Sequence, residues 1–339
     1  SVSDPAASDL FRRLFLSGNT RFLHAYPAPD GVRLLPAPRS LFVHKSPAVD
    51  GESLYERAIT EPLTESSSID REEEQKLKKA DRCFIRMEGE QVVSYQPATR
   101  LHMHHRRDRA KGRPTTNAGA IFHYEAIQAG ESFIGVMEVD GEEAQQTEDC
   151  ALLTELLSDG PLFLGRSRGA EYGGQAEVKI LSPKSWEEVS QKHTGSAESP
   201  PSDVLAVTLL SEYLGRDAVT GVLTPDAFES ELRREFQSLG GDLGSLQRSF
   251  VERQHLSGYV SVWRMPQPTV QVLAAGSVFV FSVNKPLSEQ RPGSPVLTLG
   301  ERRAEGCGRV ALHWPGLLQT DSGRFSLRKS SAPPPRAVV

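Results

Sequence analysis

Cysteine, methionine and tryptophan are scarce in this chain: three, four and three residues among 339. Cys83, Cys150 and Cys307 lie far apart without metal-like spacing. Neither a disulfide framework nor a zinc knuckle is therefore expected, and this cysteine usage points to a reducing cytoplasm. No apolar run approaches membrane-spanning length, and the start, at Ser1, does not read as a signal peptide. There is no GxxxxGK(S/T), no GxGxxG after a strand, no GxSxG and no HExxH. Those absences leave P-loop, dinucleotide, serine-hydrolase and zincin chemistry without support. An excess of positive charge is lacking too. At a net charge of −5 the protein is no indiscriminate polyanion binder, and any nucleic-acid contact must come from local patches. The 38% hydrophobic and 24% charged fractions suit a soluble globular chain long enough for two domains.

What the chain does contain is a pattern used twice. IQAGESFIGV at 127–136 is echoed by LAAGSVFVFS at 273–282, and LGRSRGAEYGGQAEV at 164–178 by LGERRAEGCGRVAL at 299–312. Both copies keep the order Ala-Gly, Phe, Leu-Gly, Arg, Ala-Glu, Gly, which predicts one supersecondary unit duplicated, each with a basic glycine loop.

The second copy reads most clearly. VLAVTLLS at 204–211 is a buried strand. Thr224 and Pro225 open a helix, Phe228, Leu232 and Phe236 recur every fourth residue, and Gly240 closes it. Strands are expected at 257–265, at 269–283 with a bend at Gly276, and at 308–314. Strand, helix, strand, strand, connection, strand is the split βαβ or ferredoxin-like plan with its second helix eroded. The first copy overlays with a helix through 10–15, strands at 20–27, 120–127 and 131–139, a helix from Thr147 to Leu157, and a strand at 174–181. That plan demands one more strand ahead of residue 8. The expected class is α+β, with tandem ferredoxin-like (RRM-like) domains. The first spans 1–190 with an insertion at about 46–118, 191–203 is a linker, the second domain spans 204–320, and 321–339 is a flexible tail. Within the insertion, the charged stretch 61–81 reads as a solvated helix or loop.

Four segments can carry chemistry. In the two glycine loops, backbone N–H groups form an anion-binding concavity and arginines match phosphate oxygens. The candidates are Gly165, Arg166, Arg168, Tyr172, Gly173 and Gly174 in the first, and Arg302, Arg303, Gly306, Gly308 and Arg309 in the second. Tyr172 can stack on a base. HMHHRRDRAKGR at 102–113 sets His102, His104 and His105 beside Arg106, Arg107, Arg109, Lys111 and Arg113, opposed only by Asp108. Such a segment can neutralise several phosphates, and its histidines suit general acid–base cleavage of RNA. It lacks the carboxylate or cysteine partners of a zinc site, so no metal is expected. LLPAPRSLFVHK at 34–45 is stiffened by proline and presents Arg39, His44 and Lys45 as contacts.

The chain resembles the RAMP superfamily of CRISPR-associated proteins. The resemblance is carried by SGNTRFLHAYP (17–27), LLPAPRSLFVHK (34–45), GAIFHYEAIQAGESFIG (119–135), LGRSRGAEYGG (164–174) and LGERRAEGCGRV (299–310). It looks most like the type III-D effector subunit of the group that caps the 5′ handle of the guide RNA. The resemblance implies a cytoplasmic, antiviral ribonucleoprotein subunit that holds crRNA without cutting it and without a cofactor. Its partners would be backbone RAMP proteins, the large signature subunit and, indirectly, target RNA, with no membrane. It also implies that the two glycine loops are the RNA contacts. Two alternatives stand: a RAMP endoribonuclease that processes precursor crRNA through His102, His104 or His105, and a protein-only scaffold.

Overall fold

A computed structural model describes residues 5–45, 53–58, 76–88, 91–106, 120–158, 161–164, 174–184, 203–260, 264–287, 296–313 and 324–330. The chain is a mixed, strand-rich α+β structure. In its second half a five-stranded sheet runs in the order Asp242–Phe250, Val278–Lys285, Val204–Leu209, Arg309–Leu312, Val296–Thr298, every neighbour antiparallel. Helix Phe228–Ser238 crosses between the sheet's first strand in sequence, Val204–Leu209, and Asp242–Phe250. Val278–Lys285 lies between those two parallel strands, which is the split βαβ arrangement. Among the described residues the second crossover carries no α-helix; Val296–Thr298 and a 3₁₀ turn at Arg303–Glu305 stand there.

The helix forms where its periodicity places it. Thr224 accepts a hydrogen bond from the Asp226 N–H, Pro225 follows, and Phe228, Leu232 and Phe236 are buried on one face. They meet Leu205, Val207, Leu209, Phe279 and Phe281, which alternate along two strands and so point to one side of the sheet. Val278 and Val280 point to the other side and pack on Ala58. The strand Asp242–Phe250 was not expected. Its sequence, DLGSLQRSF, lies half-exposed at the sheet edge and carries no hydrophobic run to announce it. The strand expected at 257–265 is instead part of a two-stranded ribbon outside the sheet.

The first half does not repeat that sheet among the described residues. Helix Pro5–Phe15 leads to Thr20–Phe22 and Tyr26–Pro27, which pair antiparallel with Met137–Val139 and Phe133–Ile134. Helix Glu143–Ser158 follows, then a hairpin of Leu162–Leu164 with Gly174–Ala176. Arg13 joins the two helices through Asp149 at 2.9 Å and Glu148 at 3.2 Å. Thr147 does not cap the second helix. It lies inside, its hydroxyl donating to the Glu143 carbonyl at 2.9 Å.

Residues between Tyr26–Pro27 and Phe133–Ile134, joined by Arg324–Lys329 from the end of the second half, build a seven-stranded sheet in the order Leu35–Pro36, Phe84–Glu88, Gln91–Tyr95, Arg324–Lys329, Ser53–Glu56, Leu41–His44, Leu77–Lys79. Its core is Ala37, Leu41, Leu54, Ile85, Val92 and Phe325. Two expectations change here. Leu77–Lys79, at the end of the charged stretch, is an edge strand against Phe42–His44. Arg324–Lys329 is a central strand rather than tail, parallel to Gln91–Tyr95, because Phe325 and Leu327 alternate inward between cations. The rest of 61–75, the linker up to 202 and the tail beyond 330 lie outside the described residues.

At the end of Arg309–Leu312, His313 is pushed from the ordinary 6.5 down to about 4 by burial. The unfolded chain then takes up a proton that the folded chain refuses. Stability is full above pH 6.5 and falls by about 3 kcal/mol as pH drops from 6.5 toward 4, below which the two states bind equally. Urea midpoints of wild type and His313→Gln across this range check it: the variant loses that part of the slope.

Candidate nucleic-acid interface

Thr99–Arg106 and Ala120–Ile127 pair antiparallel over eight residues each, with His102 opposite Tyr124 and His104 opposite Phe122. Strand periodicity sends Arg100, His102 and His104 to one face, together with Phe122 and Tyr124 from the partner strand. The rings form a continuous surface. His104 stacks on Phe122 at 5.7 Å and 23°, and on His102 at 6.4 Å and 21°. Tyr124 lies 5.4 Å from His104 and 5.3 Å from Phe122. The opposite face carries Leu101 and Met103, 69% and 71% exposed, and Ile127. An isolated two-stranded ribbon buries too little to be stable alone; here Arg100 and His102 are exposed while His104, Phe122 and Tyr124 are half-buried.

Its root is pinned. The Ala98 N–H donates to Glu131 Oε1 at 2.9 Å, the Tyr95 hydroxyl donates to the other carboxylate oxygen, and the Gln128 N–H donates to the Ala98 carbonyl at 2.9 Å. Thr99 Oγ1 donates to Glu125 at 2.7 Å. The aromatic face is thus carried on a fixed base.

In the second loop the glycines and Arg309 pack on protein, while Arg302 and Arg303 are ion-paired and partly exposed. Arg302 forms a fork with Glu305, with Nε at 2.9 Å from Oε1. Arg303 donates to Glu231 at 3.1 Å and to the Gly300 carbonyl at 2.8 Å. Glu231 also accepts from the Gly300 N–H at 2.7 Å and from the Tyr213 hydroxyl at 2.8 Å, so the helix holds the loop closed. Gly306 lies against the main chain of Phe22, Leu23 and His24, where a Cβ would sit 2.7 Å from the Phe22 carbonyl oxygen. A Cβ at Gly308 would meet the Leu299 carbonyl oxygen at 1.6 Å. The close backbone approach that the glycines permit is therefore an approach to this chain's own strands. Arg309 is buried, its guanidinium 3.3 Å from Glu138, and Glu138 also holds Arg21 at 3.1 Å. Nearby His24 Nδ1 stands 3.2 Å from Glu212, and the Tyr26 hydroxyl donates to the Leu210 carbonyl. Burial pushes the Cys307 thiol up to about 11, so it is inert at neutral pH.

In the first loop, Gly174 begins a short strand opposite Leu164. Gly165, Arg166, Arg168, Tyr172 and Gly173 lie outside the described residues. So do Arg107, Arg109, Lys111 and Arg113, which follow the ribbon strand at Arg106. His105 occupies a ribbon position opposite Ile121. Arg39 packs between the two halves, with Nε 2.9 Å from Glu252 and its N–H donating to the Gly276 carbonyl at 2.7 Å. Lys45 follows strand Leu41–His44, its N–H bonded to the Lys76 carbonyl at 2.7 Å. Among the described residues no group of three His, Cys, Asp or Glu is placed to hold a metal ion.

Sequence reasoning found the histidines but missed Phe122 and Tyr124 as their partners. The signal was available in AIFHYEAI, where rings alternate on the same period as HMHH. No protein-family model matches the chain, and no curated protein matches it. Among solved structures it is similar to a chain of the type III-B Cmr-beta complex bound to cognate target RNA and AMPPnP, with a TM-score of 0.32 and 13% identity, over 81% of this chain and 75% of that one.

Proposed function

We propose that this protein is an RNA-holding subunit of a type III CRISPR effector complex, of the type III-D handle-capping kind, working in the cytoplasm. The observation that carries RNA holding is the ring surface of the ribbon 99–127, where His102, His104, Phe122 and Tyr124 adjoin an exposed Arg100 and lead toward a run of arginines. Splayed bases stack on such a platform while cations take the phosphates, which is how single-stranded RNA is recognised without reading a duplex groove. The handle and the subtype rest on the motif resemblance. We read the chain as holding RNA rather than cutting it; in support, the His104 imidazole lies among the rings of His102, Phe122 and Tyr124.

The test is purification of the complex from cells and sequencing of the RNA that comes with it. A small RNA with one defined, repeat-derived 5′ end, crosslinked to the peptide holding Phe122 and Tyr124, is the expected result. Heterogeneous RNA ends, or crosslinks to neighbouring subunits alone, would turn the reading to the protein-only scaffold. Metal-independent cleavage of repeat RNA by the isolated chain, lost in His104→Ala, would turn it to the endoribonuclease.

A further inference from the structure

The repeated Ala-Gly string marks the same place in both halves. In the first, the ribbon's return strand ends at Ile127, Gly130 turns with φ +97°, and the chain enters Phe133–Ile134. In the second, a return strand ends at Leu273, Gly276 turns with φ +86°, and the chain enters Val278–Lys285. Both turns follow an excursion between two adjacent antiparallel strands. The second excursion is itself a ribbon: Arg253–Leu256 pairs with Val270–Leu273, and Tyr259–Val260 with Met265–Pro266. Each half thus projects a β-ribbon from the equivalent connection.

The second ribbon has a composition unlike the rest of an acidic chain. From 253 to 273 it contains no aspartate or glutamate, and it carries Arg253, His255 and Arg264. Arg253 is answered by Asp226 at 2.5 Å near the root. Farther out, His255 and Tyr259 alternate on the exposed side, Tyr259 being 62% exposed, and Arg264 is exposed at the far end. The root is rigid, because Tyr213 and Leu273 exchange both main-chain hydrogen bonds at 3.0 Å.

We propose that the ribbon strands 253–260 and 264–273 are a second, separate contact for single-stranded RNA, with Tyr259 stacking on a base and His255 and Arg264 on the backbone. This rests on the RNA-holding reading above. A ribbon that carries an exposed arginine and no carboxylate of its own favours a polyanion over a protein face, and an exposed ring on a fixed strand accepts any base.

The experiment is fluorescence anisotropy of the full chain with labelled oligouridine. His255→Ala, Tyr259→Ala and Arg264→Ala together weaken binding by about tenfold or more at an unchanged melting temperature. Tyr259→Phe, which keeps the ring, binds as wild type, and a 4-thiouridine crosslink falls on the peptide holding Tyr259. If the triple variant binds as wild type while Phe122→Ala with Tyr124→Ala is weakened, the second contact is overturned and the RNA reading stands. If the wild-type chain binds no RNA, both fall. If the triple variant unfolds, the crosslink on wild type decides: crosslinking at Tyr259 supports the contact, and crosslinking elsewhere alone overturns it.

Discussion

Phe122→Ala combined with Tyr124→Ala weakens RNA binding by about one to two orders of magnitude, while the salt dependence of binding keeps its slope. The reasoning starts from the ribbon register. Phe122 faces His104 across the strands, Tyr124 touches both, and the three rings present one surface. A base–aromatic stack contributes about 1–3 kcal/mol, and tenfold in affinity corresponds to about 1.4 kcal/mol. No charge is removed, so the number of phosphates neutralised is unchanged. Arg100→Ala has the complementary signature: a modest loss of affinity, with a slope of log K against log salt that is lower by about 1. Tyr124→Phe keeps the ring and binds as wild type, which separates loss of stacking from collapse of a ribbon that is marginal on its own. Anisotropy titrations at several salt concentrations measure all three variants. Equal affinity of the double alanine variant and wild type would remove the ribbon from the interface.

The second half was legible because its core is written in period. Phe228, Leu232 and Phe236 recur on a helix, and Leu205, Val207 and Leu209 alternate on a strand. Neither pattern has another stable reading. The edge strand Asp242–Phe250 and the central strand Arg324–Lys329 escaped for opposite reasons. The first is polar because it sits at an edge. The second is short and basic, and its place depends on a parallel partner more than two hundred residues earlier, which no local pattern can signal. The second glycine loop shows what residue type leaves open. Gly306 and Gly308 permit close approach, as their sequence suggests, but sequence does not say what approaches. Arginine beside glycine suits a phosphate and a carboxylate equally, and in the second loop Glu231, Glu305 and Glu138 are the partners within reach. The duplicated string carried its information elsewhere, in the turn that returns each ribbon to its sheet.

Arg309 makes the strongest demand of these pairings, and Glu138→Ala is expected to destabilise the chain by about 3–5 kcal/mol. The Arg309 side chain is 6% exposed, and burial draws its guanidinium below the ordinary range while Glu138 opposes that shift. Glu138 lies on the strand Met137–Val139 of the first half and Arg309 on the sheet of the second, so the pair joins the halves across their contact. Removing the carboxylate takes away the ion pair at 3.3 Å from a desolvated cation, whereas Arg21 keeps Asp140 as a second partner. The cost is that of burying a cation with less compensation, not the worth of the pair itself. Replacing both residues with apolar ones of similar reach, Glu138→Leu with Arg309→Met, therefore recovers most of the loss. Urea denaturation of the full chain measures each variant, and the double replacement tells desolvation from simple loss of packing. If Glu138→Ala unfolds at the wild-type midpoint, the contact between the halves is wet and Arg309 is reachable from solvent.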